Sequence, residues 1–216
     1  MRVLVATAVE VEAEAVRKGL GERRGIEVAA VGVGPAVAAA VTARLLTLAE
    51  ASGAPFQGVV SMGIAGGFVD AVEVGGLVVA TRSITADLGA QSPEGYLTID
   101  ELGLGSAVYQ VDPALHAILR GRLRDAVSGD VLTVSTVTGL GERATELRQR
   151  WPHAVAEAME GGGVAAAAAA CQTAFAEVRA ISNPIGPRDR GAWQIGAALK
   201  ALTDAAAAFG DSLEAL

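Results

Sequence analysis

Runs of β-branched residues alternate with longer alanine-rich stretches along the chain, a pattern that predicts strands separated by helices. Arg2 to Thr7 reads as a strand, and Glu10 to Lys18 as a helix stopping at Gly19. Ile26 to Val31 forms the next strand, followed by GVGPA and a helix to about Glu50. Gly58 to Met62 is a continuous apolar strand that runs into GIAGG, and Leu77 to Thr85 is another. Pro113 to Val127 reads as a helix, with Asp112 placed to cap it and Pro113 at its first position. Val131 to Val137 and Ala154 to Met159 are strands, and Gly163 to Gln172 is a helix. Phe175 to Ile181 is a strand, and Trp193 to Phe209 is the closing helix. Residues 88 to 110 are the least regular and read as an insertion or a lid.

Strands that are apolar on both faces and separated by helices predict a mostly parallel central sheet covered by helices on both sides. The expected fold class is therefore α/β, a three-layer α/β/α sandwich. No linker, charge block or internal repeat divides residues 1–216, so one domain is expected. In open sheets of this kind ligands bind beyond the carboxyl ends of the strands. Chemistry is therefore sought at the strand exits.

Composition narrows the function classes. Apolar residues make up 51% of the chain, with 27 glycines, which excludes a disordered chain. A net charge of −7, with no basic patch carrying interleaved aromatics, argues against nucleic acid as partner. Glutamates enter MRVLVATAVEVEAEAV too early for a signal peptide, and no apolar run reaches membrane-spanning length. A cytoplasmic protein without membrane partners is the expectation. Cys171 stands alone, which excludes an internal disulfide, and His116 and His153 are too far apart in sequence to form a metal cluster. No metal site is expected.

Each of four strand exits admits two readings. In TAVEVEAE, Glu10, Glu12 and Glu14 either complement a helix N-terminus or hold a carboxylate at the sheet edge for acid–base work. In SMGIAGG the glycines make a tight turn or let backbone N–H groups approach a ligand; no Lys-Ser/Thr follows, so this is not a Walker motif. Glu160 in EAMEGGG caps the next helix or accepts two hydroxyl hydrogens from a vicinal diol. Ser182-Asn183, just before Pro184, forms a turn or presents an amide to a ligand.

Taken together and in order, these segments resemble the purine nucleoside phosphorylase and nucleosidase superfamily. The resemblance runs through ATAVEVEAEAV, GVGPAVAAAVTARLL, SMGIAGGF, LTVSTVTG, AMEGGGVA and VRAISNPIGPRDRGAW, covering essentially the whole chain. Within the superfamily, ADLGA (Ala86 to Ala90) and ISNPIGPRDR (Ile181 to Arg190) resemble the futalosine hydrolases, nucleosidases of menaquinone biosynthesis. The resemblance implies a phosphorylase-like fold with a mixed, mostly parallel sheet, a homodimer or higher homo-oligomer, and a small nucleoside as substrate. It implies hydrolysis of futalosine to hypoxanthine and dehypoxanthine futalosine without cofactor. By the same resemblance Glu12 matches the carboxylate that activates water. Met159 packs on the ribose and Glu160 binds its hydroxyls. Ala65 and Gly66 lie beside ribose and base, and Ser182 and Asn183 handle the purine.

Three departures from the superfamily pattern refine this expectation. Where the bacterial phosphorylases hold a phosphate-binding arginine, the chain has Ser61, which favours water over phosphate; Arg23 and Arg24 are the other cations considered for that clamp. Where adenine-cleaving nucleosidases carry Asp, the chain has Asn183, whose amide suits a 6-oxopurine but is no proton-donating acid. Where relatives carry a bulkier residue after MEG, Gly161 to Gly163 predict a loose turn and an open pocket wall. Asp87 is placed either at the pocket or in a turn. Arg188 is placed either in a pair with Asp189 or against the carboxylate of the substrate's acyl arm. Trp193 is read as a packing residue. Rival readings are a hydrolase or phosphorylase of inosine-like or methylthioadenosine-like nucleosides, and a silent nucleoside-binding homologue.

Overall fold

The computed structural model describes residues 2–187 and 189–214, with the side chains of residues 190 and 214 left out; Arg188 lies outside the described residues. Strands β1 (Val3–Thr7), β2 (Ile26–Ala30), β3 (Gly58–Gly67), β4 (Leu77–Thr85), β7 (Val108–Gln110), β8 (Val127–Thr133), β9 (Ala154–Ala158) and β10 (Ala174–Pro184) form one mixed eight-stranded sheet. A hairpin of β5 (Gly89–Ser92) and β6 (Gly95–Thr98) stands apart from it. The helices are α1 (Glu10–Leu20), α2 (Pro35–Ala51), α3 (Pro113–Arg122), α4 (Gly141–Arg150), α5 (Gly161–Ala170) and α6 (Ile195–Glu214). They lie on both sides of the sheet, α1 packed on α6 and α2 on α5.

The sheet runs β10-β4-β8-β9-β3-β1-β2, and β3 also pairs with β10. Five strands therefore close on one another, while β1 and β2 extend from β3 as an open wing. The length of β3 makes this possible. Its first half pairs with β1, and Gly66 and Gly67 pair with Glu157 and Ala156 of β9. The segment expected to turn after Met62 is thus the second half of the strand. Most pairs are parallel; β10–β4, β3–β9 and β4–β7 are antiparallel.

The local chemistry explains most element boundaries. The Asp112 carboxylate accepts from Ala114 N and Leu115 N at 3.0 Å each, and Pro113 opens α3. That helix stops at Arg122 rather than running to Val127, and the next strand begins four residues earlier than expected, at Val127. Gly129 lies inside β8, where a Cβ would stand 2.4 Å from Val155 Cγ1 of β9. Helix α4 was not expected: it is charge-rich, and Leu147 is its buried residue. It docks over a second small core of Phe68, Ile84, Leu132 and Ile185. The irregular stretch 88–110 supplies the β5–β6 hairpin and the edge strand β7.

Candidate active site

The carboxyl ends of β1, β3, β9 and β10 meet at a concave cleft of about 240 Å³. It brings together every residue singled out for binding or catalysis: Glu12, Ala65, Gly66, Met159, Glu160, Ser182 and Asn183. A wider groove of about 630 Å³ lies at the start of β8 and β9, where Arg82 and Asp130 satisfy one another at 2.9 and 2.5 Å. Arg148, which also lines it, pairs with Asp70 outside the groove, and none of the singled-out residues reaches it.

Glu12 stands at the third position of α1 and is 3% exposed, while Glu10 and Glu14 face solvent. Its Oε2 accepts from Ala8 N and Val9 N at 3.0 and 3.2 Å, and its Oε1 from Ile64 N at 2.8 Å. Three backbone donors hold the carboxyl group in place. Gly63 makes room for it: a Cβ there would lie 2.8 Å from Glu12 Oε1 and 2.8 Å from Arg179 Nη1. Glu160, also buried, accepts from Gly34 N at 3.2 Å. Its side chain does not cap α5, although Glu160 is the N-cap residue.

Behind these carboxylates lies Arg179, in mid-β10 and 1% exposed. Its Nε donates to Glu177 Oε1 at 2.8 Å and its Nη2 to Ser61 Oγ at 2.9 Å, and Nη1 stands 3.6 Å from Glu160 Oε2. Burial alone would favour losing the proton; Glu177 and Glu160, with Glu12 further off, outweigh it and hold the guanidinium firmly charged. Burial pushes the Glu177 carboxyl up, against the pull of Arg179. Ser61 is therefore not without a cation beside it, contrary to expectation. A cation does stand at Ser61, but it lies outside the cleft lining and is committed to carboxylates. Neither Arg23, paired with Asp211, nor Arg24 lines the cleft.

At the other end of the cleft the Ser182 hydroxyl lies 3.2 Å from Ala65 O and 2.8 Å from Asn183 Oδ1. Asn183 Nδ2 donates to Pro184 O at 2.9 Å, which leaves one amide hydrogen for another acceptor. The strand pairing shifts register between Ile181 and Asn183, so Asn183 ends inside β10 opposite Gly66. Gly161 to Gly163 are not loose. They form the buried first turn of α5, where added Cβ atoms would sit 2.2 Å from Glu177 Oε1, 2.3 Å from Thr85 Oγ1 and 2.1 Å from Pro35 O. None of the three lines the cleft, so they open no wall of it.

Other expectations sort differently. Asp87 Oδ2 accepts from Ser135 N at 2.6 Å and lies off the cleft, and no residue of 88–110 lines it. Trp193 lies ahead of α6 and lines the cleft. Glu157 and Thr138, which drew no attention in the sequence, line it too. Glu157 is 4% exposed; its Oε1 accepts from Thr138 N at 2.8 Å and its Oε2 from Thr138 Oγ1 at 2.5 Å. Burial pushes this carboxyl up, and the Thr138 bonds oppose that. The signal available for Glu157 is its place near the end of the strand expected over Ala154 to Met159, at the exit where Met159 and Glu160 were already singled out.

The sequence profile of the phosphorylase superfamily matches residues 10–216. The futalosine hydrolase of Streptomyces coelicolor is 48% identical over 99% of this chain and 97% of its own length. That of Thermus thermophilus is 34% identical over 76% of this chain and 74% of its own. Among solved structures, the 5'-methylthioadenosine/S-adenosylhomocysteine nucleosidase of Neisseria meningitidis superposes with a TM-score of 0.79 at 21% identity, covering 100% of this chain and 99% of its own. A futalosine hydrolase of Helicobacter pylori superposes at 0.80 and 18%, covering 100% and 98%. At such identities the structures speak to the fold, and the sequence relatives to the family. The chain belongs to the phosphorylase superfamily and, within it, to the futalosine hydrolases.

Proposed function

We propose that the protein hydrolyses the N-glycosidic bond of futalosine, releasing hypoxanthine and leaving dehypoxanthine futalosine, a step of menaquinone biosynthesis. The observation that carries the reading is one cleft holding a buried, backbone-anchored Glu12 beside Glu160 at one end and an amide at the other. Bond cleavage builds positive charge on the sugar and negative charge on the departing base. Glu12 polarises a water for attack on the anomeric carbon and takes its proton, while the base leaves with the C–N electron pair, held by the Asn183 amide hydrogen, and takes a proton from solvent to become hypoxanthine. Glu160 accepts from the ribose hydroxyls, and Met159 packs on the sugar. Ala65 and Gly66 bring the backbone of β3 close to ribose and base. Ser182 fixes the Asn183 oxygen, so that the amide hydrogen faces a 6-oxopurine.

Water, rather than phosphate, fits the electrostatics. Among the described residues the cleft lining holds Glu12 and Glu160 but no lysine or arginine, so a phosphate dianion would meet carboxyl groups with no cation at the lining to hold it. No described helix is long and apolar enough to cross a membrane, and we place the reaction in the cytoplasm. The exposed valines Val9, Val11, Val33 and Val37 near the cleft suit a contact between copies, in a homodimer or higher homo-oligomer. The whole chain acts as one domain.

The test compares hypoxanthine release from futalosine, inosine and methylthioadenosine, with adenine followed for the last. Release from futalosine with little from the other two is expected. Equal release from inosine would replace the substrate assignment by a general purine nucleosidase. Binding without release from any of them would make the protein a silent homologue.

A further inference from the structure

Several carboxyl groups share the Arg179 guanidinium, and the one bound most closely never reaches the cleft. In the β10–β3 pairing Glu177 stands opposite Ser61, and Arg179 opposite Gly63. Residues opposite in neighbouring strands, and residues two apart along one strand, project on the same face of a sheet. All four positions therefore share one face. Glu177 is fully buried, and a Cβ on Gly161 would stand 2.2 Å from its Oε1 and 2.5 Å from its Oε2. The carboxyl is wedged against the first turn of α5 and has no room to retreat. From there its Oε1 accepts from Arg179 Nε at 2.8 Å, while Ser61 Oγ accepts from Nη2 at 2.9 Å. The third arm, Nη1, reaches past Gly63, where a Cβ would lie 2.8 Å from both Nη1 and Glu12 Oε1.

The consequence falls on Glu160. Arg179 Nη1 stands 3.6 Å from Glu160 Oε2, too far for a hydrogen bond. A guanidinium is a rigid planar fork, so bonds at Nε and Nη2 together fix where Nη1 lies. Glu160 feels the charge of the cation but gives it no lone pair. A carboxylate has about four acceptor sites, and Gly34 N occupies one of them on Oε1. The others stay open to the hydroxyls of a ribose. Without Glu177 the buried guanidinium would lose its nearest counter-charge and close onto Glu160 as a direct, hydrogen-bonded ion pair. We propose that Glu177 is a positioning residue: by holding Arg179 back at its Nε, it keeps the Glu160 carboxylate free to accept the sugar hydroxyls.

The proposal rests on Glu160 as the hydroxyl acceptor of the nucleosidase reading, but its test measures binding and no turnover. The probes are 9-deazainosine and its 2′-deoxy analogue, whose carbon–carbon glycosidic bond cannot be hydrolysed. Both are titrated calorimetrically into the wild type and into Glu177→Leu, Glu177→Gln and Glu177→Asp. The wild type is expected to bind the ribonucleoside at least about tenfold more tightly, since a site built for a hydroxyl rejects the analogue lacking it. Glu177→Leu is expected to shrink that preference by about fivefold or more. Glu177→Gln, whose side-chain oxygen still accepts from Nε, is expected to recover most of it. A merely structural ion pair would weaken both ligands alike and leave the ratio where it was. An unchanged ratio in folded Glu177→Leu overturns the proposal, as does a wild type that binds neither probe or does not tell them apart. Where Glu177→Leu does not fold, Glu177→Asp decides: it keeps the charge but draws the carboxylate back, and a ratio equal to wild type overturns the proposal. A protein that shows the expected ratios but does not cleave futalosine would leave the proposal standing and remove the hydrolase reading. Cleavage of futalosine with an unchanged ratio would do the reverse.

Discussion

Glu12 owes its chemistry to one turn of helix phase. Glu10 and Glu14 share its sequence neighbourhood and face solvent, whereas Glu12 lines up with Val16 and Leu20 at four-residue spacing on the buried stripe of α1. Acidity in a first helical turn told little in the sequence, because dipole complementation accounts for it equally well. The stripe was the readable signal. Replacing Glu12 by Gln removes the base and sets an amide NH₂ among backbone donors. A kcat loss of about 10²–10⁴-fold is expected, with a small change in KM, in steady-state hypoxanthine release. A kcat within a few-fold of wild type would take Glu12 out of the mechanism. Arg179 escaped notice for a related reason. It lies in an apolar run, and only its two-residue spacing from Glu177 marks an internal ion pair on one strand face.

Among the elements, α5 shows how a glycine run can be misread. Three glycines after Glu160 look like a flexible turn, yet each gives way to a different neighbour: Glu177, Thr85 and Pro35. This closeness sets Glu160 beside Gly34 N and Arg179. Gly163→Ala would push a Cβ to 2.1 Å from a backbone carbonyl, which cannot swing aside. A loss of about 1–3 kcal/mol is expected, seen as a Tm lower by several degrees. Gly196→Ala is the control. Nothing lies within 4 Å of a Cβ there, and in the first turn of α6 the change should be neutral or stabilising by up to about 1 kcal/mol. Equal Tm values for the two variants would contradict the packing account. Strand and helix periodicity gave most elements in order, because the apolar runs are long. The missed helix α4 has one buried residue and is held by surface pairs such as Glu146–Arg150, which leave little periodic trace.

At the scale of the molecule, the sheet closes through β3, and no local pattern announces that. The sequence carried the parallel strands and the helices on both sides. The second half of β3 reads as a glycine turn until its partners β9 and β10 are known. Closure sets Gly66 between Glu157 and Asn183 and stacks Glu12, Arg179 and Glu160 at the same end of the sheet. The residues named from the sequence meet there because strand exits are shared by construction. The cation behind Ser61 and the burial of Glu157 beside the cleft depend on pairing across strands, which spacing along one chain does not reveal.

The central claim is that this end of the sheet delivers water, not phosphate, to the anomeric carbon. The direct measurement is the sugar product formed from futalosine, followed with and without inorganic phosphate. The account predicts hypoxanthine release at the same rate in both conditions, with a free reducing sugar as the other product. A rate that requires phosphate, with a sugar 1-phosphate as product, would contradict it and turn Arg179 from a buried counter-charge into an anion clamp.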